Sequence, residues 1–218
     1  MKTKVLLIAG DLWHPLEIIC RGLRAFGDKL SPFDIELMED AKDSLTPAML
    51  RRYNIIINAK GNYLTAANNC PWFEEGVTEV MPQDFEAYVR EGHGFISLHA
   101  GNMALDNSGY AQFAGNYFVN HPARCEVTFR PVADHPITRG VVPFTERDEH
   151  YHLDGFAEDI NVILKSTSAT GGEQIAGYTR EIGKGRLVML APGHHMDVWE
   201  NEQFQALFVN ALNWAAGR

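Results

Sequence analysis

Apolar runs and alternating stretches follow one another along this chain in an order that predicts an open α/β sheet. Val5-Leu6-Leu7-Ile8-Ala9 is continuously apolar, as expected of a central parallel strand covered on both faces. After Pro15, which suits a helix start, Leu16, Ile19, Cys20, Leu23 and Phe26 fall at helical spacing. Asp34-Ile35-Glu36-Leu37-Met38-Glu39 alternates and reads as a half-exposed strand near a sheet edge. Thr46-Pro47 opens a short helix with Thr46 as its cap. A third strand covers Tyr53 to Ala59, and a helix covers Gln83 to Arg90, closed by Gly92. Residues 64–80 between them read as a long irregular loop, a form often used as a lid or binding loop.

Phe95, Ile96 and Leu98 form the next buried strand, which stops at His99-Ala100-Gly101. A short helix containing Tyr110 and Phe113 is expected within 107–116, and a turn at Asn120-His121-Pro122. Cys125 to Val132 alternates as a strand, and Pro136 starts a helical turn. Asn161–Lys165 and Gln174–Thr179 are strand-like runs joined around Gly171-Gly172. Gly183-Lys184-Gly185 turns the chain into a last buried strand, Arg186 to Ala191. A closing helix from about Asn201 to Ala216 presents Phe204, Leu207, Phe208, Ala211, Leu212 and Ala215 on one face. No repeat, linker or low-complexity segment interrupts this order, so residues 1–218 read as one domain.

Composition narrows the function classes. The 218 residues are 45% apolar and 22% charged, an ordinary globular balance. The net charge of −9 argues against a nucleic-acid partner, which needs a basic footprint. Three cysteines without CxxC spacing suit a reducing cytoplasm better than a disulfide scaffold. The apolar run at the N-terminus is too short for a signal-peptide core, and no stretch approaches the roughly 20 apolar residues of a membrane span.

The chemistry gathers at strand ends. In an open α/β sheet, ligands bind beyond the carboxyl ends of the strands. His99 stands where a nucleophile elbow carries Ser or Cys. Trp13 and His14 follow the first strand, Asn62 and Tyr63 the third, and His194 the last. His14, His99 and His194 share one edge if their strands run parallel. Asp148, Glu149, His150 and His152 concentrate carboxylate and imidazole within five residues. As a strand, this stretch would put Asp148, His150 and His152 on one face, with Glu149 and Tyr151 on the other. A solvated charged edge strand would explain the same residues. An acid–base carboxylate, or part of a zinc, iron or manganese site, is the functional reading. No HExxH spacing, GxGxxG fingerprint or phosphate loop is present.

Taken together, Gly94-Phe95-Ile96-Ser97-Leu98-His99-Ala100-Gly101, Asn120-His121-Pro122, Asp134-His135-Pro136-Ile137-Thr138-Arg139-Gly140, Asp148-Glu149-His150-Tyr151 and Gly183-Lys184-Gly185-Arg186 through Gly193-His194 resemble the trehalose-utilisation (ThuA-like) family. Val198-Trp199 and Asn213-Trp214-Ala215 extend the likeness to nearly the whole chain. The resemblance implies a flavodoxin-like, class I glutamine-amidotransferase-like fold: a doubly wound, mostly parallel sheet flanked by helices. Amidotransferases of that fold carry Cys at the elbow, so His99 implies no glutaminase activity. The family is associated with sugar catabolism, often beside oxidoreductases that make 3-keto sugars. Its usual aspartate–glutamate–leucine–tyrosine pattern here has His150 for leucine.

The resulting expectation is an enzyme acting on a small-molecule sugar or keto-sugar by proton transfer, with His99, Glu149 and His194 catalytic. Trp13, His14, Asn62, Tyr63, Asn102 and His121 would surround the substrate. A cofactor is not required by the sequence. A divalent metal, if bound, would take His99, Glu149 and His194. A non-catalytic sugar-binding or regulatory domain and a metal-dependent hydrolase are the rival readings, and homo-oligomerisation stays open.

Overall fold

The structure, a computed structural model, describes residues 1–39, 41, 44–61, 73, 76, 78–103 and 108–218. Asn62, Tyr63 and most of the 64–80 loop lie outside the described residues.

Strand β1 (Thr3–Ala9) and helix α1 (Leu16–Ala25) lead into β2 (Phe33–Met38), α2 (Pro47–Leu50) and β3 (Ile55–Ala59). Thr46 caps α2 by accepting the Met49 N–H at 3.3 Å. Helix α3 (Pro82–Arg90) precedes β4 (Gly94–Leu98), and α4 (Ser108–Ala114) follows it. The chain then forms β5 (Tyr117–Asn120), β6 (Cys125–Pro131), β7 (Phe144–Asp148), β8 (His152–Asp154), β9 (Asn161–Ser168), β10 (Gly172–Ile182) and β11 (Gly185–Leu190). It ends with α5 (Met196–Glu200) and α6 (Glu202–Ala215).

Nine strands form one mixed sheet in the order β2-β1-β3-β4-β11-β10-β9-β6-β7. The first five run parallel. From β11 onward every pairing is antiparallel, because tight hairpins join β9 to β10 and β10 to β11. Parallel strands need crossovers long enough for a helix, and the chain supplies them in its first half and, between β4 and β11, through α4 and the intervening strands. The doubly wound arrangement therefore holds around β1, β3, β4 and β11. There α3 and α4 cover one face, with Phe95 of β4 against Phe85 at 5.2 Å and Phe113 at 4.9 Å between ring centroids. Helix α6 packs on β4 and β11 from the other face. Its Phe204, Leu207, Phe208, Ala211 and Leu212 are fully buried.

One local expectation is corrected. The 148–152 stretch is not one strand: β7 ends at Asp148, and a tight turn with Tyr151 N–H on the Glu149 carbonyl precedes β8. The Asp148 carboxylate accepts three backbone amides from 193–195. The closing helix forms as expected, as α6 capped by Asn201, and the short helix α5 precedes it. Among the described residues, no helix is long and apolar enough to cross a membrane.

Candidate functional site

The parallel half of the sheet brings the carboxyl ends of β1, β3, β4 and β11 to one edge. His99, the first residue past β4, has φ +44, the one positive value among described non-glycine residues. That conformation costs roughly 1–2 kcal/mol and needs support from its surroundings. Asn102 supplies it: its side-chain amide donates to the His99 carbonyl at 3.0 Å and to the Leu190 carbonyl at 3.4 Å. Its Oδ1 accepts from Ser97 Oγ and Asn116 Nδ2. A side chain on Gly101 would put its Cβ 2.0 Å from the Asn58 carbonyl oxygen, so this turn tolerates only glycine.

After β1, Asp11 organises its own loop. Its Oδ1 accepts the backbone N–H groups of Trp13 and His14 at 2.9 Å and faces His14 Nδ1 at 2.8 Å. Its Oδ2 accepts the Gly61 N–H at 2.7 Å, tying the β1 and β3 loops together. Aspartate readily bonds backbone amides two and three residues on, which is why it initiates such turns.

After β11, the loop that carries His194 is held from two sides. Trp199 of α5 donates its indole N–H to the Gly193 carbonyl at 2.8 Å. Its ring lies over Gly22 of α1, where a Cβ would come within 2.4 Å. Asp148, fully buried, accepts the N–H groups of Gly193, His194 and His195 at 2.9, 2.9 and 3.2 Å. The next residue, Glu149, is thereby brought over the sheet edge.

Three imidazoles converge on one oxygen of Glu149. Its Oε2 lies 3.2 Å from His194 Nδ1, 3.5 Å from His99 Nε2 and 3.9 Å from His14 Nε2. His121 Nε2, more exposed, lies 3.6 Å away. The outer ring nitrogens are oriented by the protein. His99 Nδ1 meets the Ala191 carbonyl at 2.7 Å, His14 Nδ1 meets Asp11, and His121 Nδ1 meets the Pro122 carbonyl at 2.8 Å. Arg124 donates to His194 Nε2 across a long 3.4 Å.

Electrostatics follows from this crowding. Burial opposes ionisation of Glu149, but the imidazoles of His14, His194 and His99 that face its Oε2 hold its carboxyl well below the usual range. Burial also disfavours the His14 cation, yet Asp11 and Glu149 overcome it and raise His14 to about 9. Burial keeps His99 below the ordinary imidazole value. Tyr151 stacks on His99 with 4.3 Å between centroids; burial, then the nearby carboxylates, keep it a neutral phenol.

A cavity of about 790 Å³ opens over Glu149, His121, Tyr151, Phe118 and Asn102. A second, of about 490 Å³, runs along Pro15, Ile18, Met196 and Trp199. They meet at Trp13, His14, Ala100, Arg124 and His194. Trp13 is 62% exposed, an aromatic face at the mouth of both.

Of the residues expected from sequence, the structure thus brings together His14, His99, Glu149, His194 and His121, with Trp13 beside them. Asn102 borders the cavity, but its side-chain nitrogen and oxygen are both bonded to protein, so it braces the elbow. His150 turns away and lies between Ser168 Oγ at 2.7 Å and Ser166 Oγ at 2.9 Å. Asp11, Tyr151 and Arg124 join the site without being expected there from the sequence. Only Asp11 carried a readable signal, an aspartate three residues before a strand-end histidine.

The family model described as trehalose utilisation (ThuA) matches residues 4–215. No curated protein matches the sequence. Among solved structures, a ThuA-like protein from Bacteroides uniformis aligns at 20% identity with a TM-score of 0.72, over 98% of this chain and 91% of that one. A ThuA-like protein from Parabacteroides merdae aligns at 18% identity and TM-score 0.71, over 99% and 90%. A glutamine amidotransferase from Thermotoga maritima aligns at 13% identity and TM-score 0.65, over 100% of both chains. At these identities the likeness is one of fold, and that fold is the α/β fold of the class I glutamine amidotransferases.

Proposed function

Because this chain belongs to the trehalose-utilisation (ThuA) family, we propose that it is an enzyme of carbohydrate metabolism that moves protons beside the carbonyl of a keto-sugar. The observation that carries this reading is the convergence of three imidazoles on the Glu149 carboxylate at an open cleft. Imidazoles and a carboxylate supply both partners of enolisation: a base for the carbon-bound proton and a positive group for the developing oxyanion. Once formed, the enediolate takes a proton at the neighbouring carbon, giving isomerisation, or expels a substituent, giving elimination.

Aromatic Trp13 offers a face for the apolar side of a sugar ring, and the roughly 790 Å³ cavity suits a small-molecule carbohydrate. His121, at the more exposed edge of the cluster, is suited to exchange protons with water. With His99 rather than a thiol at the elbow, the chemistry of the amidotransferases has no nucleophile here. The sparse cysteines favour a cytoplasmic setting.

The test is turnover. The protein is incubated with glucosides, trehalose and their 3-keto derivatives, and products are followed by NMR. Conversion of a keto derivative that disappears in His99→Ala supports the proposal. Saturable binding of sugars without conversion of any would make the cleft a binding site and overturn it.

A further inference from the structure

We infer that His14, His99, His194 and Glu149 form a binding site for a divalent first-row transition-metal ion, with zinc as the reference occupant. This inference rests on reading the cleft as the reactive centre. Four ligand atoms, one from each residue, all lie within 4.8 Å of one another. Three of them, His14 Nε2, His99 Nε2 and His194 Nδ1, are buried with no hydrogen-bond partner among the described residues. Buried polar nitrogens are rarely left unpaired, and three orphans facing one point call for a common partner.

Distances fit such a partner. Metal–nitrogen and metal–oxygen bonds of ~2.0–2.2 Å in a tetrahedron put neighbouring ligand atoms ~3.3–3.5 Å apart. Glu149 Oε2 stands 3.2, 3.5 and 3.9 Å from the three nitrogens. The donor set, imidazole with one carboxylate, suits zinc and its neighbours in the first transition row.

The outer shell fits as well. Metal-bound imidazoles characteristically donate the second ring N–H to a carboxylate or a backbone carbonyl, which aims the free lone pair at the ion. His14 does so toward Asp11 and His99 toward Ala191. His194 is the ligand that has to adjust: Arg124, 3.4 Å from its Nε2, swings aside so that this nitrogen carries the proton. His121 stays outside the tight group, so a substrate oxygen can approach the ion from the larger cavity while His121 remains free to move protons.

The probe is the metal alone, without sugar. The full chain is stripped with a chelator, dialysed, and titrated with Zn²⁺ and, separately, Co²⁺. Bound metal is measured by elemental analysis and by cobalt absorption. About one equivalent per chain is expected, lost in His99→Ala and Glu149→Gln and retained in His121→Ala and His150→Ala. Asp11→Asn changes the partner of the outer nitrogen of His14 and of the loop amides that Asp11 holds, and should weaken binding ~10–100-fold without removing a ligand. It also keeps the test decisive if a ligand variant fails to fold, which circular dichroism and melting monitor. Sub-stoichiometric uptake by the wild-type chain, or uptake unchanged in both Glu149→Gln and Asp11→Asn, overturns the inference. Protein that turns over a keto-sugar but takes up no metal sinks the metal site alone. Metal-loaded protein that converts no sugar sinks only the proposed function.

Discussion

The backbone amide of His194 donates to Asp148 Oδ1 at 2.9 Å, and this bond sets the distance between His194 and the neighbouring Glu149. Strand β7, which ends at Asp148, is four places from β11 in the sheet. The buried carboxylate bridges that separation by gathering three consecutive amides. Asp148→Asn would turn an amide N–H toward at least one of those donors. Hydrogen bonds to a charged group contribute about 1.5–3 kcal/mol, and a loss of that size is expected in denaturant unfolding. Turnover should fall with it, because Glu149 and His194 lose their common anchor. A variant with unchanged stability and activity would show that the anchor is dispensable.

Trp13 is mostly exposed, so Trp13→Ala should change stability by no more than about 0.5 kcal/mol. Losing an aromatic platform costs about 0.5–1.5 kcal/mol, which corresponds to a two- to tenfold rise in KM with kcat nearly kept. Steady-state kinetics on the converted sugar separates this from a fall in kcat, which would place Trp13 in the chemistry instead of in binding.

Leu212 of α6 is fully buried against the sheet. Leu212→Ala should cost about 2–5 kcal/mol through lost transfer energy and the cavity left behind. Urea unfolding measures it, and a cost under about 0.5 kcal/mol would mean that α6 is not seated on β4 and β11 as described.

His135 caps a helical turn by accepting the Ile137 N–H on its Nδ1 at 3.2 Å, which requires a neutral ring. Burial, then the Arg186 charge, lower its pKa from the ordinary 6.5. A group whose folded pKa is depressed binds fewer protons folded than unfolded. Its contribution is therefore present above pH 6.5 and is lost as the pH falls through that value toward the lower folded pKa. Asparagine also caps but does not titrate. His135→Asn should lose less stability than the wild-type chain between pH 7 and 5, by about 1 kcal/mol or less, the cost of a lost cap. Parallel stability curves for the two proteins would contradict this.

The imidazoles were legible because each follows an apolar run with small or turn-forming neighbours: Gly10 before His14, Ala100 and Gly101 after His99, Gly193 before His194. Strand ends are local features, and the parallel rule carries them to one edge. Glu149 was legible only as part of a charged stretch. Its direction depends on Asp148 finding amides 45–47 residues away, which no local pattern encodes. The alternation read across 148–152 failed for the same reason: a long-range anchor ended the strand. Helix α5 escaped notice because five residues carry little periodicity, and its place depends on Trp199 lying over Gly22. Asn102 looked like a substrate ligand because it follows the elbow. Its partners Ser97, Asn116 and the Leu190 carbonyl come from three separate segments.

The central claim is that this cluster moves a proton on the carbon beside a sugar carbonyl, and solvent exchange reads that step without requiring a stable product. A 3-keto-glycoside is incubated with the protein in D₂O, and deuterium at the carbons flanking the carbonyl is followed by NMR and mass spectrometry. Exchange far above the buffer rate is expected at one of those carbons, abolished in Glu149→Gln and strongly reduced in His99→Ala. Exchange at the buffer rate for every keto-sugar offered, or fast exchange that survives both substitutions, would contradict it.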